Sequence, residues 1–150
     1  MLRVLTLSTL FPDATRRNFG VFVERQTLGL AAHRDVELVA VAPLGMLPGP
    51  LRYLPGRSAQ TALPKRETWK GIIVHRPRFT AWPLTGGRHH ARELERTLTV
   101  TLDAIRENFP FDVIDASFFF PDGLAAVALG RRYGVPVSIK ARGADIHHWG

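Results

Sequence analysis

Two stretches of the chain combine polar side chains and glycine in a way that could hold an anion or another polar ligand. In the last third, Ser117 is followed by Pro121-Asp122-Gly123 and then by Arg142-Gly143-Ala144-Asp145. The planar fork of Arg142 can grip a pair of anionic oxygens, or it can pair with Asp145 and simply close the turn. Asp122 can cap a following helix and complement its dipole, while Gly123 can admit a ligand close to the helix end. Asp115 lies inside an apolar run and, if buried, needs a partner or a raised pKa. His147 and its neighbour His148 have the chemistry of an acid, a base or a ligand, although histidines near a chain end more often stand idle on a surface. Near the N-terminus, Asn18 is a good N-cap, and Gly20 sits where the N–H groups of a helix start could meet a phosphate. A plain helix start accounts for the same residues.

Several chemistries are excluded. The chain has neither G-x-G-x-x-G nor G-x-x-x-x-G-K-[ST], so the dinucleotide fingerprint and the P-loop are both absent. It shows no Ser-His-Asp arrangement, no His-Glu-x-x-His and no metal-ligand spacing, and no metal is expected. His89 and His90 are adjacent, and adjacent helix positions do not face each other. Basic charge is spread over loops and not interleaved with aromatics on one face, so nucleic acid is not the expected partner.

The elements that must position these residues can be read from periodicity. Asp112–Ala116 is a short buried strand, Leu124–Tyr133 a helix stopped by Gly134, and Val137–Lys140 a second strand. This is a βαβ unit, whose parallel strands point their C-terminal ends to one rim. Ligands of open α/β sheets bind outside that rim, and Ser117 and the Arg142–Asp145 turn share it. Upstream, Leu2–Ser8 reads as a strand, Thr9–Gly20 as a long loop, Phe19–His33 as a helix and Val36–Val41 as a strand. Gly71–His75 forms a further strand, Arg78–Gly87 a loop, and Arg88–Asn108 a helix with Leu94, Leu98, Leu102 and Ile105 on one face. Five strands in the order β-α-β-β-α-β-α-β give a doubly wound, mostly parallel α/β sheet in a single domain over residues 1–150.

Ala42–Lys70 is rich in proline and glycine and reads as an irregular surface excursion. Its apolar residues Leu44, Met46, Leu47, Leu51, Tyr53 and Leu54 stand beside Arg52, Arg57, Lys65 and Arg66. Apolar tips next to positive charge suit a membrane interface or a lipid-like ligand. A loop folded back on the domain is the plainer alternative.

The balance of 20 basic to 13 acidic residues favours anionic partners, or else reflects solvated arginines with no specific task. Cysteine is absent, which removes disulfides, thiolate nucleophiles and cysteine-ligated zinc. The longest apolar runs are only strand-length, and the first residues lack a signal peptide's pattern. A cytoplasmic chain, peripheral on the inner face of the membrane, fits these features.

Taken in order, several pieces resemble the N-terminal half of family-4 glycosyltransferases, retaining enzymes of the two-domain GT-B architecture. The pieces are VLTLSTLFP at Val4–Pro12, Asn18-Phe19-Gly20-Val21, FDVIDAS at Phe111–Ser117, PDGLAA at Pro121–Ala126, and YGVPVSIKARGADI at Tyr133–Ile146. The resemblance implies a Rossmann-like acceptor-side domain, with a separate C-terminal domain binding most of a nucleotide-sugar donor. It implies donor diphosphate contacts at Asn18, Phe19 and Gly20. It also implies an acceptor or sugar cleft formed by Phe11, Pro12, Ser117, Asp122, Gly123, Arg142, Asp145 and His147. The acceptor would be a cell-envelope, lipid-linked or polysaccharide glycan; no cofactor and no metal is implied, and the half-enzyme alone would be inactive. Two positions depart from the family pattern. Phe19-Gly20 replaces a double glycine, and Asp115 and Ser117 stand where many members carry His-x-His. Serine can hydrogen-bond a sugar hydroxyl but cannot titrate as imidazole does, so no catalytic residue is assigned. A non-catalytic anion- or partner-binding module, and half of a nucleotide-sugar epimerase, are the other readings of the same residues.

Overall fold

A computed structural model describes residues 1–87, 89–143 and 145. The first strand, β1 (Leu2–Leu7), leads through a long loop to α1 (Val21–Ala31) and β2 (Val36–Val41). There follow β3 (Leu44–Met46), a 3-10 turn at Gly49–Tyr53, the one-turn α2 (Ser58–Thr61), β4 (Arg66–Trp69), β5 (Ile72–His75) and β6 (Arg78–Thr80). The long helix α3 (His90–Arg106), β7 (Val113–Ala116), α4 (Leu124–Tyr133) and β8 (Val137–Ile139) complete the order.

The six-stranded main sheet runs β4-β5-β2-β1-β7-β8 and is parallel except for β4, which pairs antiparallel with β5. Growth of the sheet reverses at β1, whose two neighbours are β2 and β7. This is the topological switch point beside which open α/β sheets bind ligands. Alternation along the strands fills both faces. Leu5, Leu7, Val41, Ile114 and Ala116 pack with Leu94, Leu98, Leu102 and Ile105 of α3 and with α4. Ala40, Ala42, Ile72 and Val74 pack with Val23 of α1. Burial on both faces explains why β1 and β2 read as nearly continuous apolar runs.

The excursion at 42–70 is more ordered than its proline content predicts. Leu44 and Met46 are buried in β3, which pairs with β6 in a small second sheet and packs with Leu63. Prolines interrupt helices, but they leave room for three-residue strands between them. Only Leu51, Tyr53 and Leu54 are exposed tips. The strand expected at Gly71–His75 is the outcome of a tight reversal: Lys70 and Gly71 both have positive φ (47° and 90°) and fold β4 back on β5. Among the described residues eight strands therefore replace the expected five, the added ones lying at an edge and in the small sheet.

Candidate functional site

The C-terminal ends of the parallel strands bring together the loop 8–20, the turn 117–123, residues 140–143 and Asp145. The loop 8–20 is held by its own polar groups. Ser8 Oγ accepts from Leu10 N–H at 3.1 Å. Buried Asp13 accepts from Thr15 N–H at 2.9 Å and pairs with Arg16 at 2.9 Å. Burial alone would raise the Asp13 carboxyl, but these hydrogen bonds and the Arg16 charge hold it below its ordinary pKa. 

The loop ends at Gly20, with φ 72°, and a Cβ there would sit 2.4 Å from the Leu10 carbonyl oxygen. Only glycine fits this backbone. Gly20, not Asn18, is the residue that starts α1; its carbonyl accepts from Val23 and Glu24 N–H at 2.9 and 3.1 Å. Asn18 loses the cap role because the left-handed turn needed to enter the helix falls two residues later, at the glycine. The N–H groups of Val21 and Phe22 have no acceptor within the helix. Asn18 is exposed beside a cleft of about 500 Å³ shared with Arg17, Val21, Trp69 and Lys70, and Phe19 stacks under Arg16 at 4.0 Å.

Other expected site residues lie deeper. Phe11 is 2% exposed and belongs to the core beneath α1, while buried Pro12 offers its carbonyl to Arg76 at 2.8 Å. Ser117 is buried and donates its N–H to Leu7 O at 3.2 Å. Asp122 makes no cap to α4, which starts at Leu124 with Gly123 in the cap position. It reaches across to accept Thr9 N–H at 3.0 Å, and its second oxygen is buried without a partner. Desolvation, with the nearby Asp145 charge, pushes the Asp122 carboxyl up to about 7. The space at Gly123 is filled by the chain itself: a Cβ there would meet Phe118 O at 2.7 Å and Ile139 at 3.2 Å.

Asp145 accepts the Phe119 and Arg142 N–H groups at 3.1 and 2.8 Å, tying the β8 exit to the turn after β7. The Arg142 guanidinium does not pair with it. It donates to Gln26 Oε1 and lies 5.2 Å from the Phe22 ring, so it bridges to α1. Phe22 in turn meets Phe118 edge-on at 6.4 Å. Arg142, Phe22 and the α1 start thus form the accessible part of this rim. His147 lies outside the described residues.

Besides Asp13, two buried charges had no signal in the sequence. Arg76 is fully buried; it donates to Glu67 and Pro12, with its guanidinium 5.7 Å from the Trp69 ring. Glu24 on α1 accepts from Trp69 Nε1 and pairs with Lys70 at 2.9 Å. Asp115 does find its partner, Lys140. Among the described residues no group of side chains could hold a metal ion, and no helix is long and apolar enough to cross a membrane.

The four cations expected to form one patch come from different elements. Arg52 is on the 3-10 turn, where it donates to Gly49 O at 3.0 Å, and Arg57 is exposed just before α2. Lys65 and Arg66 line a different feature, a cleft with His75 and Arg78.

The sheet order, the rim at the switch point and the glycine-started first helix define a Rossmann-like fold of the kind that builds GT-B glycosyltransferases, as the resemblance implies. The chain is 26% identical over 149 residues to TuaC of Bacillus subtilis (strain 168), a protein named as a teichuronic acid biosynthesis glycosyltransferase. That match covers 97% of this chain and 37% of the relative. Sucrose-phosphate synthase from Thermosynechococcus elongatus shares the fold with a TM-score of 0.63 at 11% identity, over 97% of this chain and 34% of that one. The chain therefore spans little more than a third of the curated relative it matches. No protein-family model matches it.

Proposed function

We propose that this chain is the acceptor-side half of a glycosyltransferase that moves a sugar from a nucleotide-sugar donor to a cell-envelope, lipid-linked or polysaccharide acceptor, with retention. The observation that carries the reading is the likeness to a protein named a glycosyltransferase along 97% of the chain. The rim is consistent with it. The α1 start offers unpaired N–H groups and a helix dipole to a diphosphate, and Arg142 stands beside it. Arg142 would help orient the anionic donor from the acceptor side, while Ser117, Asp122 and Asp145 hold the three loops in register. No described residue is assigned as acid, base or nucleophile. A second domain would supply the rest of the donor site, and the protein would work at the inner face of the membrane, held there by Arg52, Arg57, Lys65 and Arg66.

The test is a transfer assay on the full-length gene product with a panel of nucleotide sugars and membrane or glycan acceptors. Acceptor-dependent release of a nucleoside diphosphate, with the anomeric configuration kept in the product, is expected. Conversion of the donor to an isomer without any acceptor would move the assignment to an epimerase. Failure of any nucleotide sugar or nucleoside diphosphate to bind would sink the reading.

A further inference from the structure

Away from the switch point, a groove runs between α3 and the β4–β5 hairpin. Alternation in the hairpin sets its floor. Ile72 and Val74 face the α1 side, with Trp69, and the Arg76 guanidinium follows them there. Ile73 and His75 line the opposite face, and Arg66 stands directly across from His75 in the antiparallel register. α3 forms the far wall.

The groove has two ends of different chemistry. At the rim end, a cavity of about 520 Å³ is lined by Lys65, Arg66, His75, Arg78, Thr97 and Thr101. Its lining contains no acidic residue, and no ion pair among the described residues engages Lys65, Arg66 or Arg78. Arg78 spends donors on the carbonyls of Arg76 and Leu63, which fix its position without neutralising its charge. Arg66 and His75 also line an adjoining cavity of about 440 Å³, so the two cavities share these two residues as a wall. There the apolar side chains are Val39, Ile73, Ala104, Ile105 and Phe109, with Asn108 beside Phe109, and no cation is added beyond the shared Arg66 and His75. Because α3 runs back against the parallel strands, Phe109 marks the end away from the rim.

Cations with no acidic neighbour at the rim end, and a run of apolar side chains leading away from them, match one kind of molecule: an anionic head on a single apolar chain. We propose that this groove binds the phosphate or diphosphate monoester of a long-chain lipid, with the phosphate between Lys65, Arg66 and Arg78 and the first part of the chain along Ile73, Ile105 and Phe109. The assignment deepens the lipid-linked acceptor of the proposed function and rests on that reading for its biological sense. It would place the head of the acceptor at the rim and its tail outside the transfer cleft. A free phosphate would use only the rim end, and a membrane surface would use neither wall of the groove.

Binding is measured by calorimetry on this chain with monomeric decyl phosphate, inorganic phosphate and decanol, with no donor present. Decyl phosphate is expected to bind at least about tenfold more tightly than phosphate, since each buried methylene is worth about fourfold. Lys65→Ala with Arg66→Ala should weaken both anions by about tenfold. Ala104→Trp, at an exposed position that narrows the groove, should weaken decyl phosphate by about fivefold and leave phosphate unchanged. Arg92→Ala with Arg131→Ala removes the same charge from exposed sites and should change nothing. Thermal melts identify any variant that fails to fold, and the Ala104 and charge-matched variants then decide. Equal affinity for decyl phosphate and phosphate, an unchanged Ala104→Trp variant, or equal loss in the charge-matched control would each overturn the proposal. So would binding to anionic vesicles without binding to monomeric decyl phosphate. Because no sugar is transferred, failure here leaves the glycosyltransferase reading standing, and failure of that reading leaves the binding result intact.

Discussion

Two charged regions of the molecule treat charge in opposite ways. On the α1 side, Arg76, Asp13 and Glu24 are buried; Arg76 and Glu24 are bonded to neighbouring elements, and Asp13 is paired within its own loop. On the flank, Arg57, Lys65 and Arg66 are exposed and make no ion pair among the described residues. Taking a charge out of water costs several kcal/mol unless it is paired, so the first set has to serve the architecture. The second set pays no such penalty and keeps its full attraction for an outside anion. The direction of the charge, inward or outward, separates charges that hold the scaffold together from charges left open to solvent.

The largest effect should come from Arg76→Ala. It strands Glu67, only 18% exposed at its side chain, and frees the Pro12 carbonyl, so a loss of about 3–5 kcal/mol is expected in denaturant unfolding. Gly20→Ala should follow, at roughly 2–3 kcal/mol, because it adds left-handed strain to a clash with the Leu10 carbonyl. An unchanged melting temperature for either variant would erase the contrast between the regions.

Asp122 sharpens it through pH. Its carboxyl titrates near 7 in the fold and near its ordinary 3.8 unfolded, so the folded state binds the proton more tightly. Stability from this group is complete below about pH 4, declines as pH rises toward about 7, and is flat above. The groups facing it are Thr9 and Asp145. Asp122→Asn should flatten that limb, so its stability relative to wild type should rise by about 1–3 kcal/mol between about pH 4 and pH 7.5. A constant difference across that range would show that Asp122 does not titrate as proposed. The smallest effect on stability belongs to the flank. Joint replacement of Arg52, Arg57, Lys65 and Arg66 by alanine should cost within about 0.5 kcal/mol per site, yet weaken sedimentation with anionic vesicles in a salt-dependent way. Unchanged sedimentation would remove the flank's assignment as a contact surface.

Much of the scaffold was legible because it rests on local patterns. Both-face burial made β1 and β2 apolar runs, the spacing of Leu94, Leu98 and Leu102 marked α3, and Gly134, with φ 65°, ended α4 as glycine does. The rim was legible in outline, since strand direction alone puts Ser117 and Arg142 at one end. What could not be read were long-range polar partners. Asp122 looked like a local cap because a cap is a contact two or three residues away, whereas its actual donor, Thr9, is 113 positions distant. Arg142 looked like a partner for Asp145, but its guanidinium crosses 116 positions to Gln26. The short strands β3, β4 and β6 escaped because three or four residues carry too little periodicity to separate them from the prolines and glycines around them.

The reversed strand β4 has one more consequence. An edge of a sheet offers unsatisfied backbone groups to any other extended chain, and a long apolar edge invites aggregation. Here the edge beside β5 is closed by four residues, Arg-Glu-Thr-Trp, joined to it by a tight hairpin. A short strand bearing two charges is a poor template for a stranger. The hairpin that shapes the groove therefore also guards this border of the sheet against self-association.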